Sequence, residues 1–383
     1  MWTGDKAIYD ILTLAGVNKN QLQSFIDKGK EMYNKLETPG FPFRRDMQTN
    51  FSFEQLEAEY GINAMATYVD IDSPGTPINY ESAVLSTGKI PRQKKRADFD
   101  EVQYRQKLEL GAVTGDITDS ALGTLFESTK KLIDSHTNAM TYQRHQMVSC
   151  GQFETTDENN PGGIVGRLYK ANIPGGNITS LTGTARWWTD NDHTVEGSAA
   201  NPVKNLQDVE FVAKKKGRAM HWEVDENTME ETLNHSKVKA LIGTVVLPLG
   251  DAGQQAAQVE VTPRERRLEI FKSFLRYPVT VVDSISSVDK TNPKTKKVEN
   301  IEFRSFNPDA WALVPNGKIG EILTVAPFKI NPSERSAYAD YYGGRLLMTV
   351  DFDLLKKIQY METEMTSLVV PDKPKLMYIL NII

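Results

Sequence analysis

The 383-residue chain has one cysteine, Cys150, so no internal disulfide framework can hold it and a reducing compartment suits it. Cys150 reads as a half-buried residue at a helix end, without a local pattern that would make it a nucleophile. Histidine is scarce as well. The five, at 136, 145, 193, 221 and 235, show neither an HExxH nor any other metal spacing. No apolar run reaches the length of a membrane span, and the opening MWTGDKAIYDI lacks the basic-then-apolar order of a secretory signal. A net charge of -5 gives no basis for a broad electrostatic clamp on nucleic acid. The phosphate-cradling GxxxxGK loop, a GxGxxG turn after a strand and a GxSxG elbow are all absent. His221, in AMHWEV, reads as a strand residue, and His235 as a helix-end residue near the terminal carbonyls. Glu230 and Glu231 are neighbours on a helix and point apart, which makes a poor glycosidase dyad. No catalytic residue, cofactor site or metal site is therefore expected, and the chain reads as a non-enzyme.

What is present is an ordinary globular composition, 39% hydrophobic and 25% charged, enough for two or three domains or one elaborated domain. The organising stretch is 116–149. Ile117, Leu122, Leu125, Phe126, Leu132, Ile133, Ala139, Met140 and Met147 recur at helical spacing along one stripe. Asp116, Thr118 and Asp119 can accept from the orphan amides at its start, and Gly151 stands where a helix stops. No proline interrupts it, and at 1.5 Å per residue it would run about 50 Å. A helix that long with a single apolar stripe is a beam that other elements must cross. A coiled-coil arm is the alternative, but a strict leucine heptad with flanking charge pairs is missing.

Residues 5–36 carry the periodicity of two short helices. Thr38-Pro39-Gly40-Phe41-Pro42 leads into an arginine-bearing piece with Arg44 and Arg45, then a short helix at 53–60. A strand at 65–71 is broken by the turn at 73–77. Next come 84–90, the basic run Arg92, Lys94, Lys95 and Arg96, and 98–110. These residues bury little, so 67–110 reads as a protruding two-stranded loop that lies on a neighbouring subunit, or else as a solvated hairpin. The basic run could touch nucleic acid, but without interleaved aromatics that signal is weak.

Beyond the long helix, strands are expected at 152–156 and 164–169, then a loop over 174–200. In that loop Trp187 and Trp188 would be packed anchors, while Asp190, Asp192 and His193 lack calcium-loop or zinc spacing. A helix opens at Asn201-Pro202 and stops at Gly217, a strand spans 219–224, and Asp225 caps a helix over 226–233. A short element at 238–242, a small-residue loop at 247–262, a helix at 264–275 and strands at 279–284, 301–306 and 311–314 follow. Pro315-Asn316-Gly317 then turns the chain back. Strands at 322–328 and 346–351, a helix over 354–361 and apolar strands at 368–370 and 375–383 end it.

Four stretches carry a family resemblance: TYVDIDSP at 67–74 with the following loop to Pro91, RHQMVSCGQF at 144–153, WWTDND with ANPVKNL within 187–208, and 281–320, a strand and a charged turn leading into FNPDAWALVPNGKIG. In this order they resemble the tailed-bacteriophage major capsid protein of the lambda-type group, major capsid protein E. The resemblance implies an α+β, Hong Kong 97-like phage capsid fold. Its parts would be an N-terminal arm (1–66), an extended loop (67–110), a peripheral domain (111–200 and 321–383) with the spine helix at 116–149, and an axial domain (201–320). It implies a structural protein that self-assembles into hexamers and pentamers of an icosahedral or prolate head around double-stranded DNA, found in the virion and assembled in the host bacterial cytoplasm. Arg92, Lys94, Lys95 and Arg96 in the loop, and Phe41, Arg44 and Arg45 in the arm, would contact other subunits. Partners would be further copies, a separate scaffolding protein (only about 60 residues precede the loop), a portal and a decoration protein, with no membrane and no sequence-specific DNA contact. An encapsulin-like nanocompartment shell remains an alternative, as does a carbohydrate-binding or glycosidase domain built on Trp187 and Trp188.

Overall fold

A single uninterrupted helix, Ile117–Ser149, occupies the stretch whose apolar stripe and missing prolines called for one. The computed structural model describes residues 38–50, 52–57, 84–99, 117–161, 163, 165–291, 298–327, 337–353 and 358–383. The helices expected over 5–36, the strand at 65–71, the turn at 73–77 and most of 98–110 lie outside these.

In chain order the strands before the helix are β1 (Ser52–Glu57), β2 (Val84–Lys89) and β3 (Arg92–Phe99), and the long helix is α1. After it come β4 (Gln152–Glu154), β5 (Leu168–Lys170), β6 (Ile178–Ser180), α2 (Pro202–Lys214) and β7 (Met220–Asp225). Four helices follow, α3 (Glu226–Asn234), α4 (Ser236–Val246), α5 (Ala252–Val261) and α6 (Arg264–Ser273). The remaining strands among the described residues are β8 (Val279–Val282), β9 (Ile285–Thr291), β10 (Val298–Arg304), β11 (Ala310–Pro315), β12 (Gly320–Val325), β13 (Ala337–Tyr341), β14 (Leu346–Asp353), β15 (Ile358–Pro371) and β16 (Tyr378–Asn381). Described residues within 38–53, 87–141 and 321–369 form one compact unit; those within 54–57, 84–86, 142–320 and 370–383 form a second.

In the first unit β12, β15, β14 and β13 form a sheet in that order, and β3 also pairs with β15. Along β15, Met361, Thr363 and Met365 are buried while Glu362 and Glu364 are half-buried, the period of two of a strand with one covered face. Two expected helices are strands here. The spacing of Leu354, Ile358 and Met361 fits a helix, yet from Ile358 the chain alternates and finds partners in β14 and β3. Tertiary pairing overrides a short local pattern. The same correction applies to 53–60, where Ser52–Glu57 is extended. Residues 38–50 run along β12: the amide of Arg44 donates to the Ile322 carbonyl at 3.0 Å, and that of Gln48 to Thr324 at 2.8 Å.

The second unit is built on a five-stranded sheet, β6-β16-β11-β7-β8. Its axis is β11, with all six residues buried, antiparallel to β7 and to β16. Trp311 lies on β11 with ring centroids 6.1 Å from Trp187, 5.9 Å from Trp222 and 6.0 Å from Phe271. Around this aromatic knot pack Leu206 and Val209 of α2, Met229 and Leu233 of α3, Val238 and Ile242 of α4, and Ile270 of α6. The two start signals read from sequence are realised: the Asn201 side chain accepts from the Lys204 amide at 3.2 Å, and Asp225 from Asn227 at 2.9 Å. His235 ends one helix and starts the next: its amide donates to the Thr232 carbonyl of α3 at 3.3 Å, as a helix-end residue would, and its Nδ1 also accepts from the Lys237 amide at 3.2 Å to cap α4.

The 247–262 segment, expected as a loop, contains α5. Asp251 and Gln254 form a reciprocal capping box, and the small exposed residues after it hid the helical period. Gly243 allows α4 and α5 to meet closely, since a Cβ there would lie 2.9 Å from the Gln255 Cβ. At the end of α1, Gly151 adopts φ +66°, and a Cβ would press on Ile173 at 2.9 Å.

Because Trp311 is fully buried and ring-contacted on three sides, Trp311→Ala is expected to destabilise the protein by about 3–5 kcal/mol. Chemical denaturation followed by near-ultraviolet circular dichroism would read this, and a loss under about 1 kcal/mol would contradict the central place given to the ring.

Candidate functional site

The last turns of α1 carry a buried polar cluster inside the second unit. Arg144 faces Glu223 of β7 as a bidentate pair, its Nη1 donating to Oε2 at 2.6 Å and its Nη2 to Oε1. Alternation along β7 puts Trp222 into the aromatic core and leaves Glu223 and His221 on the other face. His221 extends the cluster, with Nε2 3.2 Å from Glu223 and Nδ1 2.7 Å from Asn316 in the turn after β11. Burial opposes ionisation of Glu223, but the Arg144 guanidinium and the His221 hydrogen bond outweigh it and hold the carboxyl at about 2. The hydrogen bond to Glu223 raises His221 from its ordinary value. His145 is sequestered: Nδ1 lies 2.7 Å from the Ser305 hydroxyl, and burial with Arg144 nearby pushes its pKa down to about 4. Ser149 closes the helix end, its hydroxyl accepting from the Asn307 amide at 3.1 Å. Cys150, half-buried at this end, has its thiol pKa raised by burial, which disfavours a thiolate.

In the first unit the predicted contact residues fall on β3 and on 38–50. Arg92, Lys94 and Arg96 stand opposite Thr366, Glu364 and Glu362 of β15. Arg92 pairs with Glu364, and Lys94 with Glu362 and, at 3.6 Å, with Glu364. Lys95 sits opposite Thr363 on the other face. The charged shank is thus sewn into its own sheet, and reversing Lys94 would disturb that pairing. Phe41 is fully buried within the chain. Arg44 is held 3.6 Å from Glu321, and the Arg44 and Arg45 carbonyls accept from the Arg345 guanidinium at 2.7 and 3.0 Å. His136 ties α1 to this sheet, Nε2 lying 2.9 Å from the Thr363 hydroxyl, and burial lowers its pKa to about 4.

The second unit leaves part of its apolar surface uncovered. On α4, Leu241 and Val245 are exposed one turn apart, Leu249 in the following turn is fully exposed, and Val261 ends α5 exposed. Periodicity on α4 hid this face, because the stripe that packs inward and the stripe that faces outward are both apolar. Trp187 and Trp188 are buried, with the Trp187 indole donating to Asn205 at 3.0 Å, so they offer no stacking platform for a sugar. His193 stacks on Trp188 and bridges Glu231 and Asp309, a local tie across the loop. Among the described residues no group of three or more His, Cys, Asp or Glu could hold a metal, and no helix is long and apolar enough to cross a membrane.

The family model for phage major capsid protein E matches residues 19–381. No curated protein matches the chain. Among solved structures it is similar to a prophage protein of Escherichia coli CFT073 described as a capsid protein, at 13% identity and TM-score 0.49, covering 96% of this chain and 99% of that one. It is also similar to the capsid asymmetric unit of cyanophage A-1(L), at 11% identity and TM-score 0.46, with 91% and 93% covered. A phage-related protein of Bordetella bronchiseptica RB50 matches at 12% identity and TM-score 0.44, with 99% and 97% covered.

Two outcomes follow from the buried groups. Above pH 6.5, His136 and His145 are neutral whether the chain is folded or not. As pH falls from 6.5 toward 4 only the unfolded chain gains those protons, so stability drops by up to about 3 kcal/mol per histidine. The variant His136→Gln with His145→Gln should flatten the melting temperature over that window, and an unchanged slope would contradict the assignment. Arg144→Met alone should cost about 3–5 kcal/mol by stranding Glu223, and Arg144→Met with Glu223→Leu should recover most of that in a urea titration.

Proposed function

The chain belongs to the phage major capsid protein E family, and from that premise we propose that its copies close into hexamers and pentamers of an icosahedral or prolate head around double-stranded DNA. As a major capsid protein it is a structural component of a phage virion. The observation that carries the finer reading is the family match over 19–381 together with the exposed apolar face of the α4–α5 hairpin. A family whose function is a shell needs surfaces that meet other copies. Leu241, Val245, Leu249 and Val261 are the apolar groups the second unit leaves without cover on that hairpin. A heterologous contact that repeats and closes gives rings of five or six.

The proposed layout is Hong Kong 97-like. Residues 201–320 act as the axial domain around the ring axis, α1 is the spine of a peripheral domain, and 1–66 and 67–110 serve as arm and extended loop. Lys95, Arg96 and Arg45 are the proposed contacts between subunits, while Arg92, Lys94, Arg44 and Phe41 serve the chain's own first unit. Assembly in the host cytoplasm with a separate scaffolding protein, a portal and a decoration protein completes the reading.

The test is expression of the chain alone and with its neighbouring phage genes, followed by size-exclusion chromatography and negative-stain electron microscopy. Wild-type chain should yield shells or rings. Leu241→Asp with Val245→Asp should keep the melting temperature, because exposed positions shift stability by about 0.5 kcal/mol or less, and should leave only unassembled chain. Normal shells from that variant would remove α4 from the contact, and no assembly of wild-type chain in either setting would remove the shell reading.

A further inference from the structure

Residues 188–197 of the second unit form a loop with bonds of its own. The Asp190 carboxylate accepts from the Thr194 amide at 3.0 Å, from the Val195 amide at 2.8 Å and from the Thr194 hydroxyl. The Thr189 amide donates to the Val195 carbonyl at 2.8 Å, and an antiparallel bridge joins Trp188 to Glu196 at the base. Glu196 in turn accepts from the Ser236 amide at 2.7 Å and from the Ser236 hydroxyl, at the start of α4. Near the tip stands His193 at φ +55°, a left-handed conformation uncommon outside glycine. Its side chain is only 7% exposed.

Both ring nitrogens of His193 face carboxylates. Nδ1 meets Glu231 of α3, and Nε2 lies 3.1 Å from Asp309 in the turn before β11. A neutral imidazole carries one N–H, so it donates to one carboxylate and turns a lone pair on the other. Only the imidazolium satisfies both. The ring also lies flat on Trp188, with centroids 5.9 Å apart and planes 10° apart, the placement of a cation over an indole face. Glu231 and Asp309 are 36% and 45% exposed, so release of the loop returns both to water rather than stranding a buried charge. The remaining neighbours do not compete for this role. His235 also packs against Trp188, but its Nδ1 accepts from the Lys237 amide, a bond open only to the neutral ring, and burial lowers its pKa. Glu196 lies 3.8 Å from that same nitrogen and is taken up by Ser236, as Asp190 is by the loop's own amides. Cys150, within reach of the Asp309 charge, has its thiol pKa raised by burial and stays a thiol.

We propose that His193 is a pH-sensitive latch: as the imidazolium it holds the loop against α3 and the turn before β11, and on losing its proton it lets the loop open and uncovers Trp188. The closed loop binds the proton and the open loop does not require it. Closure is therefore favoured on the acid side and weakens as pH rises through the range in which a histidine gives up its charge, about pH 6 to 8. That direction is opposite to the effect of His136 and His145, which weaken the fold as pH falls. Once released, a loop this short does not keep its internal bonds, so its amides become open to exchange.

The experiment is amide hydrogen exchange of the full chain read by mass spectrometry, with each rate divided by the intrinsic exchange rate at that pH. In peptides covering 189–197, protection should fall about tenfold between about pH 6 and pH 8, the worth of one charge-assisted hydrogen bond. Peptides covering β11, read in the same samples, should keep theirs. His193→Asn accepts the left-handed backbone but cannot titrate, so its loop protection should no longer depend on pH over that window. Glu231→Gln with Asp309→Asn keeps the histidine and removes what it faces; it should flatten the profile in the same way, and it carries the test if His193→Asn does not fold. His235→Asn, with a residue that also caps helices, should leave the wild-type fall in place. A flat or rising wild-type profile would overturn the proposal. So would a fall that survives both latch variants, or one that β11 shares, since that would be opening of the whole unit.

Discussion

A buried charge pair sets the terms for the second unit. Arg144 and Glu223 are almost wholly out of water, and each would cost several kcal/mol alone. The pair is tolerable only because the guanidinium meets the carboxylate along two parallel bonds and His221 adds a third contact. That requirement fixes the rotation of the α1 end against β7. It also fixes the register of β7, because a slip of one residue would carry Glu223 into the aromatic core and Trp222 out of it. One face of the sheet is therefore specified by charge, and the other by the rings of Trp187, Trp222, Trp311 and Phe271.

The first unit uses charge differently. Arg92 and Lys94 pair with Glu364 and Glu362 across neighbouring strands at the surface, where each pair is worth at most about 1 kcal/mol. Their value lies in matching β3 to β15 in one alignment. His136, buried and neutral against Thr363, does the same between α1 and that sheet. The buried polar groups named here are used for pairing and capping. The apolar face of α4 and α5 stays exposed, with Leu241, Val245, Leu249 and Val261 on it.

Much of this was legible beforehand. The α1 stripe, the caps at Asn201 and Asp225, the helix starting after Pro263 and the turn at 315–317 all rest on local chemistry, and local chemistry is written in the chain. The α5 helix was missed because its small residues face outward and carry no stripe, although Asp251 and Gln254 were a capping-box signal. The intrachain pairing of the basic run was not legible. The sequence reveals that Arg92 and Lys94 are basic and adjacent, but not that Glu364 and Glu362, some 270 residues away, will take them up.

By itself the sequence determined the long α1 beam, the starts of α2 and α3, and which family the chain belongs to. These follow from periodicity, caps, composition and motif order, all short-range in the chain. Tertiary structure alone decided that 358–371 would be a strand, that Phe41 would be interior, and that Glu362 and Glu364 would stand beside Lys94 and Arg92. Those outcomes depend on pairing and burial between residues far apart in sequence. Their free energy exists only once distant surfaces have met, so no local window contains it.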